Sequence, residues 1–199
     1  EILSSSIIAR AMYAQGLDAV RKDSRDLITT NDKHTKAGVN YKVTNSQVEY
    51  YFTKAKQKIT VLPGFIASTA QGETTTLGRG GSDFTAAIVA AALDVDQVEI
   101  YTDVSGMYTA NPKMVKQAKP IDSISYHEAM ELSHFGAKVL YPPTIVPVMS
   151  KNIPIRIKNT LQPEDPGTLI HNQEGISDNP IKGLSNINNV ALLTLEGGG

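Results

Sequence analysis

Residues 72–93 read GETTTLGRGGSDFTAAIVAAAL, a glycine-rich turn that runs straight into an apolar helix predicted over 83–93. At such a junction the first helical amides lack an intrahelical acceptor and the positive end of the helix dipole faces outward, which suits an anion. Arg79 lies within the turn and Asp83 in the first helical turn. A guanidinium grips a carboxylate through two parallel hydrogen bonds, and a carboxylate holds an ammonium group. Together they offer one partner for each end of a zwitterion. A second reading of the same residues stands beside this one: a glycine-rich loop in which Asp83 only complements the helix dipole.

Two familiar phosphate signatures are absent here. The segment from Gly72 lacks the Gly-Lys-[Ser/Thr] ending of a P-loop, and 78–83, GRGGSD, lacks the third glycine of a dinucleotide fingerprint. Neither a Walker nucleotidase nor a Rossmann dehydrogenase is supported.

Outward from the turn, strands and helices alternate. Residues 2–16 carry apolar side chains at helical spacing, with Ile2, Leu3, Ile7, Ile8, Ala9 and Met12 available for packing and Gly16 as a stop. Short β-branched runs at 27–28, 59–65, 98–101, 153–157 and 168–170, bounded by Gly, Pro, Asn or Asp, predict strands. Further helices are predicted over 126–135, behind the capping box Ser125-x-x-Glu128, and near 144–150. This rhythm predicts an α/β fold with a mainly parallel sheet, whose ligands sit beyond the carboxyl ends of the strands. The loops after Phe65 and Tyr101 are therefore the places to look.

A second informative stretch, 98–113, reads VEIYTDVSGMYTANPK. Thr102 and Asp103 end its strand, and a glycine turn then brings Tyr108 and Lys113, a set able to support a nucleotide through an aromatic ring, a hydroxyl and an ammonium. A surface turn shaped by Asp103 and Pro112 fits the same residues. A third, 134–144, reads HFGAKVLYPPT, where Lys138 follows a helix end and by itself would complement that negative terminus. His34, His127, His134 and His171 show no metal-ligand spacing, so no protein-bound metal is predicted. Ser4, Ser5 and Ser6 have no nearby histidine, which argues against a hydrolase triad.

Composition narrows the class. The 199 residues are 41% hydrophobic and 20% charged, as in an ordinary globular protein. A net charge of -1 provides no basic field for nucleic acid or anionic lipid. The absence of cysteine excludes disulfides, thiolate zinc and a cysteine nucleophile, and fits a reducing compartment, so a cytoplasmic location is expected. The first residues have neither a basic leader nor a long apolar run, so no signal peptide or membrane span is expected there. A chain that opens inside a helical pattern and closes on three glycines reads as cut from a longer one.

Taken together and in this order, LGRGGSDFTAA at 77–87, YTDVSGMYTANPK at 101–113 and HFGAKVLYPPTIVP at 134–147 resemble the aspartate kinases of the amino-acid kinase superfamily. The likeness runs from residue 1 to about residue 171 and includes IKNT at 157–160 and GTLI at 167–170. It implies a three-layer α/β/α sandwich with a mainly parallel sheet and its N-terminal part missing, in which 1–174 is a partial catalytic domain. Residues 175–199 would be a linker and the opening of a regulatory ACT domain. The activity implied is transfer of a phosphoryl group from ATP to the side-chain carboxylate of L-aspartate, the first step toward lysine, threonine and methionine.

The same resemblance implies Arg79, Gly80, Gly81 and Ser82 around aspartate, Asp83 next to its amino group, and Glu1 helping to hold it. For ATP it implies Thr102, Asp103, Tyr108, Lys113, Lys138 and Val139, with Mg²⁺ carried by the nucleotide. Lysine or threonine is implied as an inhibitor through the ACT region, and a homo-oligomer as the assembly. The sequence departs from the family pattern at Asn111-Pro112-Lys113, where Asp-Pro-Arg is usual, and at Tyr141, where histidine is frequent. The family's opening Lys-Phe-Gly-Gly-Thr-Ser does not occur in residues 1–199.

Overall fold

Residues 84–93 contain one polar side chain, Thr85, and a helix so apolar needs cover on several sides. The computed structural model, which describes residues 1–135, 140–172, 181–186 and 191, gives it that cover. Helix α3 (Gly81–Leu93) is wedged between two cores. Its Ala87 and Ala90 join Val98, Met107, Ile124, Tyr126, Ile155, Ile157 and Ile170 on one side. Its Ile88 and Ala92 join Leu27, Ile28, Val48, Ala67 and Leu77 on the other.

Strands β1 (Ala19–Arg21) and β3 (Ile59–Val61) pair in parallel. Strand β4 (Ile66–Thr69) lies between β2 (Thr29–Thr30), to which it is parallel, and β5 (Thr74–Thr76), to which it is antiparallel. The third sheet runs β6 (Val98–Thr102), β8 (Ile155–Asn159), β9 (Thr168–His171) and β7 (Ser123–Ser125). Parallel pairing dominates, and only β4 with β5 and β8 with β9 run antiparallel among the described residues. Helix α1 (Ile2–Ala14) lies on β1 and β3, α2 (Tyr41–Lys54) packs against α3, and α4 (Tyr126–Phe135) packs on β7 and β9. The result is the layered α/β architecture expected.

Several local expectations are corrected. The strand predicted at 59–65 ends at Val61, and a second strand starts only at Ile66 beyond Pro63-Gly64, where proline has no amide to donate to a ladder. The strand expected at 27–28 lies at Thr29–Thr30, behind a 3₁₀ turn over Ser24–Asp26. Near 144–150, prolines at 142, 143 and 147 shape a 3₁₀ turn (Pro142–Ile145) that passes into the short helix α5 (Val146–Met149). Helix α1 turns Ser5 and Ala9 inward, whereas Ile2, Leu3, Ile7 and Ile8 are 42–73% exposed, contrary to the packing role expected of them. The capping box stands: the Ser125 amide donates to Glu128 Oε2 at 2.9 Å, and the Glu128 amide to Ser125 Oγ at 3.3 Å.

Thr168 stitches the third sheet to the loop after β6. It is fully buried, accepts from the Met107 amide at 2.8 Å and donates to the Ile121 carbonyl at 2.6 Å. A Thr168→Val substitution keeps the shape and orphans both groups. It should destabilise the protein by about 2–6 kcal/mol, at ~1–3 kcal/mol for each of the two unsatisfied buried groups. Urea titration against the wild type measures this, and an unchanged midpoint would show that neither bond matters to folding.

Candidate active site

Thr85, the one polar side chain of the apolar run, organises the entrance to α3. Its Oγ1 donates to the Gly81 carbonyl at 2.8 Å and accepts from the Phe65 amide at 3.0 Å. The Phe65 carbonyl accepts from the Leu77 amide at 2.9 Å. Behind them the buried Ser24 hydroxyl donates to the Pro63 carbonyl at 2.6 Å and lies 3.0 Å from the Ile66 carbonyl. These bonds hold Phe65 at φ +71°, a left-handed conformation that is strained for an aromatic residue.

Such an approach demands glycine. A Cβ on Gly64 would lie 2.9 Å from Ser82 Cα, and one on Gly81 would lie 2.7 Å from the Phe65 ring. Gly80 precedes the helix at φ +68°, so the turn reverses sharply and no cap side chain covers the helix end. The amides of Ser82 and Asp83 have no backbone acceptor among the described residues.

The outcome is an open cleft of about 580 Å³ lined by Glu1, Phe65 and the whole turn from Gly78 to Asp83. The six residues named for the amino-acid substrate, Glu1, Arg79, Gly80, Gly81, Ser82 and Asp83, all meet there. Glu1 stands at the N-terminus of α1 and makes no capping bond with its side chain. Arg79 is exposed, and no protein acceptor binds its N–H groups among the described residues. Asp83 is half-buried, and loss of water pushes its carboxyl above the ordinary value, so it would gain from a cationic partner.

Phe65 and Gly78 also line the cleft and were not named as site residues, although the loop beyond Phe65 was marked. The signal for Phe65 was the Pro63-Gly64 pair, a turn marker inside an apolar run. Thr102 ends β6, Asp103, Tyr108 and Lys113 follow it in the chain, and none of the four lines this cleft. Thr102 Oγ1 donates to Asp103 Oδ1 at 3.2 Å, Tyr108 bridges to Pro120, and the Lys113 amide donates to Asn111 Oδ1 at 3.0 Å. Beneath this loop Ser105 donates to Asp165 Oδ2 at 2.5 Å and accepts from Asn159 Nδ2 at 3.0 Å, which fixes it to the segment after β8. Lys138, Val139 and most of 175–199 lie outside the described residues. Among the described residues no cluster of three or more His, Asp or Glu is arranged for a metal, and no helix is long and apolar enough to cross a membrane.

Comparison with known proteins points the same way. The pattern of the amino acid kinase family matches residues 2–159. The chain is similar to bifunctional aspartokinase/homoserine dehydrogenase 1, chloroplastic, of Arabidopsis thaliana, at 41% identity over 205 residues, covering 100% of this chain and 22% of that protein. It is similar to lysine-sensitive aspartokinase 3 of Escherichia coli at 36% identity, covering 98% of this chain and 44% of that one. The crystal structure of E. coli aspartokinase III in complex with aspartate and ADP matches with a TM-score of 0.82 at 36% identity, over 88% of this chain and 40% of that one. The chain thus spans 22% of the plant relative and 44% of the bacterial one.

The raised Asp83 pKa has a defined consequence for stability. The folded chain keeps this proton to higher pH than the unfolded chain does, so the group costs nothing below its unfolded value. The cost grows as pH rises through the raised value and is complete above it. Asp83→Asn should therefore raise the melting temperature at neutral pH, with the gain shrinking as pH falls through the ordinary carboxyl range. Thermal unfolding of both proteins across pH measures this; a gain that persists undiminished in acid would remove desolvation as its cause.

Proposed function

We propose, since the chain belongs to the amino acid kinase family, that it forms most of the catalytic domain of an aspartate kinase. The reaction moves the terminal phosphoryl group of ATP to the side-chain carboxylate of L-aspartate and yields 4-phospho-L-aspartate and ADP, the first step toward lysine, threonine and methionine. The observation that carries this reading is the cleft in which Arg79, Asp83, Glu1 and the uncapped end of α3 converge. Cationic, anionic and amide groups around one space match an amino acid that bears carboxylates and an ammonium group.

The attacking oxygen of aspartate is already anionic at neutral pH, so no general base is needed, and catalysis comes down to positioning and charge neutralisation. In this reading Arg79 grips a carboxylate, Asp83 takes the ammonium, and Ser82 with the amides of the turn fixes the orientation. Thr102, Asp103, Tyr108, Lys113, Lys138 and Val139 hold the nucleotide, and Mg²⁺ carried by ATP supplies further neutralisation at the phosphates. Lys113 stands where the family more often has arginine and acts as a point charge rather than a fork. Residues 175–199 belong, in the same reading, to a linker and an ACT domain through which lysine or threonine inhibits a homo-oligomeric, cytoplasmic enzyme.

Along α3 a groove of about 440 Å³ separates the end of β3 from the start of β6 and is lined by Leu62, Gly64, Ala86, Val89 and Val98 among others. Ala86 is exposed there although it lies on the apolar helix. A strand from outside residues 1–199, carrying the family's Lys-Phe-Gly-Gly-Thr-Ser, would cover that surface and bring a lysine and amides to the phosphates.

Two outcomes test the reading. Arg79→Lys in the complete enzyme should lower kcat/KM for aspartate about tenfold to a hundredfold, since a charged hydrogen bond is worth roughly 1.5–3 kcal/mol, with KM for ATP little changed. Unaltered aspartate kinetics would take Arg79 out of the site. In a coupled ADP-release assay the 199-residue chain should stay at background, while a chain extended through the additional strand turns over aspartate. Losing one preorganised donor alone costs about 10²–10³ in rate. Glutamate and acetylglutamate, run in parallel, identify a sister kinase if either is preferred. An extended chain that releases no ADP with any of them would instead be an amino-acid sensor.

A further inference from the structure

We propose that Tyr141 is a positioning residue for Arg79, supporting the flat face of the guanidinium so that its N–H edge stays aimed into the cleft. The proposal deepens the reading above and rests on it for the identity of the carboxylate that Arg79 takes.

The Arg79 Cζ lies 5.4 Å from the centre of the Tyr141 ring, within the reach of a cation–π contact. Arg79 needs such support. It is exposed, and it stands between Gly78 at φ +78° and Gly80 at φ +68°, neighbours with no side chain to limit where it points. A long side chain left free in that turn would have to be ordered by each incoming ligand.

Tyr141 is well placed to limit it. Leu140 before it is 4% exposed, Pro142 and Pro143 after it restrict the backbone, and Ile145 is 1% exposed in the core that also holds Ala87 and Ala90 of α3. Guanidinium and ring are therefore both tied to the same helix, one at its N-terminus and the other through its flank. The two uses of the guanidinium do not compete. A guanidinium carries its five N–H donors in its plane, so a ring set against its face leaves them able to grip a carboxylate by two hydrogen bonds while the ring stays in place.

The test uses the complete protein with Tyr141→Phe, Tyr141→Leu and a trifluorinated phenylalanine at the same position, which keeps the ring's shape and drains its negative face. Loss of the ring, or of its negative face, should raise KM for aspartate about two- to fivefold, with kcat and KM for ATP unchanged. Tyr141→Phe should retain the wild-type KM. In an Arg79→Ala background Tyr141→Leu should add nothing. An unchanged KM in Tyr141→Leu, an equal loss in Tyr141→Phe, a parallel rise in KM for ATP, or a full additional loss in the Arg79→Ala background would each overturn the proposal.

A second readout does not depend on turnover. The ring should move the NMR resonance of the Arg79 Nε–H group upfield, an effect that persists in Tyr141→Phe and vanishes in Tyr141→Leu. Absence of that difference overturns the contact whatever the substrate is. If the wild-type enzyme prefers another acidic acceptor, the assignment to aspartate fails, and the same KM comparisons made with that acceptor decide the role of Tyr141.

Discussion

The backbone of Gly64 and Phe65 presses against the first turn of α3, and most of the cleft follows from that contact. It is possible because neither Gly64 nor Gly81 carries a Cβ, and it is fixed because Thr85 and Ser24 take up the polar groups that a left-handed Phe65 leaves behind. The helix cannot drift away from the turn, since Ala87 and Ala90 are held in one core and Ile88 and Ala92 in the other. Packing far from the cleft thereby sets the position of its amides, and an amide fixed in advance need not be reorganised when charge develops.

The charges of the cleft follow a different logic from those elsewhere on the surface. Asp23 pairs with Arg25 at 2.8 Å, and its carboxyl is drawn down to about 2, chiefly by the hydrogen bond from that guanidinium. Lys22 pairs with Asp26 at 2.7 Å. Arg79 and Asp83 also carry opposite signs and sit close in sequence, yet among the described residues they form no ion pair with each other. Asp83 is partly dehydrated instead, and the Arg79 Cζ lies 5.4 Å from the centre of the Tyr141 ring. The dehydration of Asp83 lowers stability and leaves its strongest interaction for a ligand, the usual exchange between stability and function.

Legibility in the sequence tracked how local each cause was. The turn at 78–83 was readable because its glycines, arginine and aspartate are contiguous with the helix they open. Strands β6, β8 and β9 were readable because their β-branched residues recur at every second position within a short run. Helix α2 was not: its buried residues are Thr44 and Val48, while Tyr41 and Val43 are exposed, so no apolar stripe marks it. Thr74–Thr76 carries no apolar residue and becomes β5 only through its pairing with Ile66–Ser68. The break in 59–65 depends on α3 and on Ser24, and the contact of Tyr141 with Arg79 joins segments far apart in the chain. Such long-range causes leave little trace in local pattern.

The strand order β6-β8-β9-β7 places the last of these strands to be synthesised inside the sheet rather than at its margin. Among the described residues β7 pairs with β9 alone, so Ser123–Ser125 has nothing to bind until His171 has left the ribosome. The described strands of the first two sheets and α3, by contrast, have all been synthesised once Leu93 has emerged. One flank of the nascent chain can therefore settle early, while α3 waits with Ala87 and Ala90 uncovered. During that interval an unpaired strand and an apolar helix face are open to wrong partners, and chaperone protection would be needed most between the synthesis of β6 and that of β9.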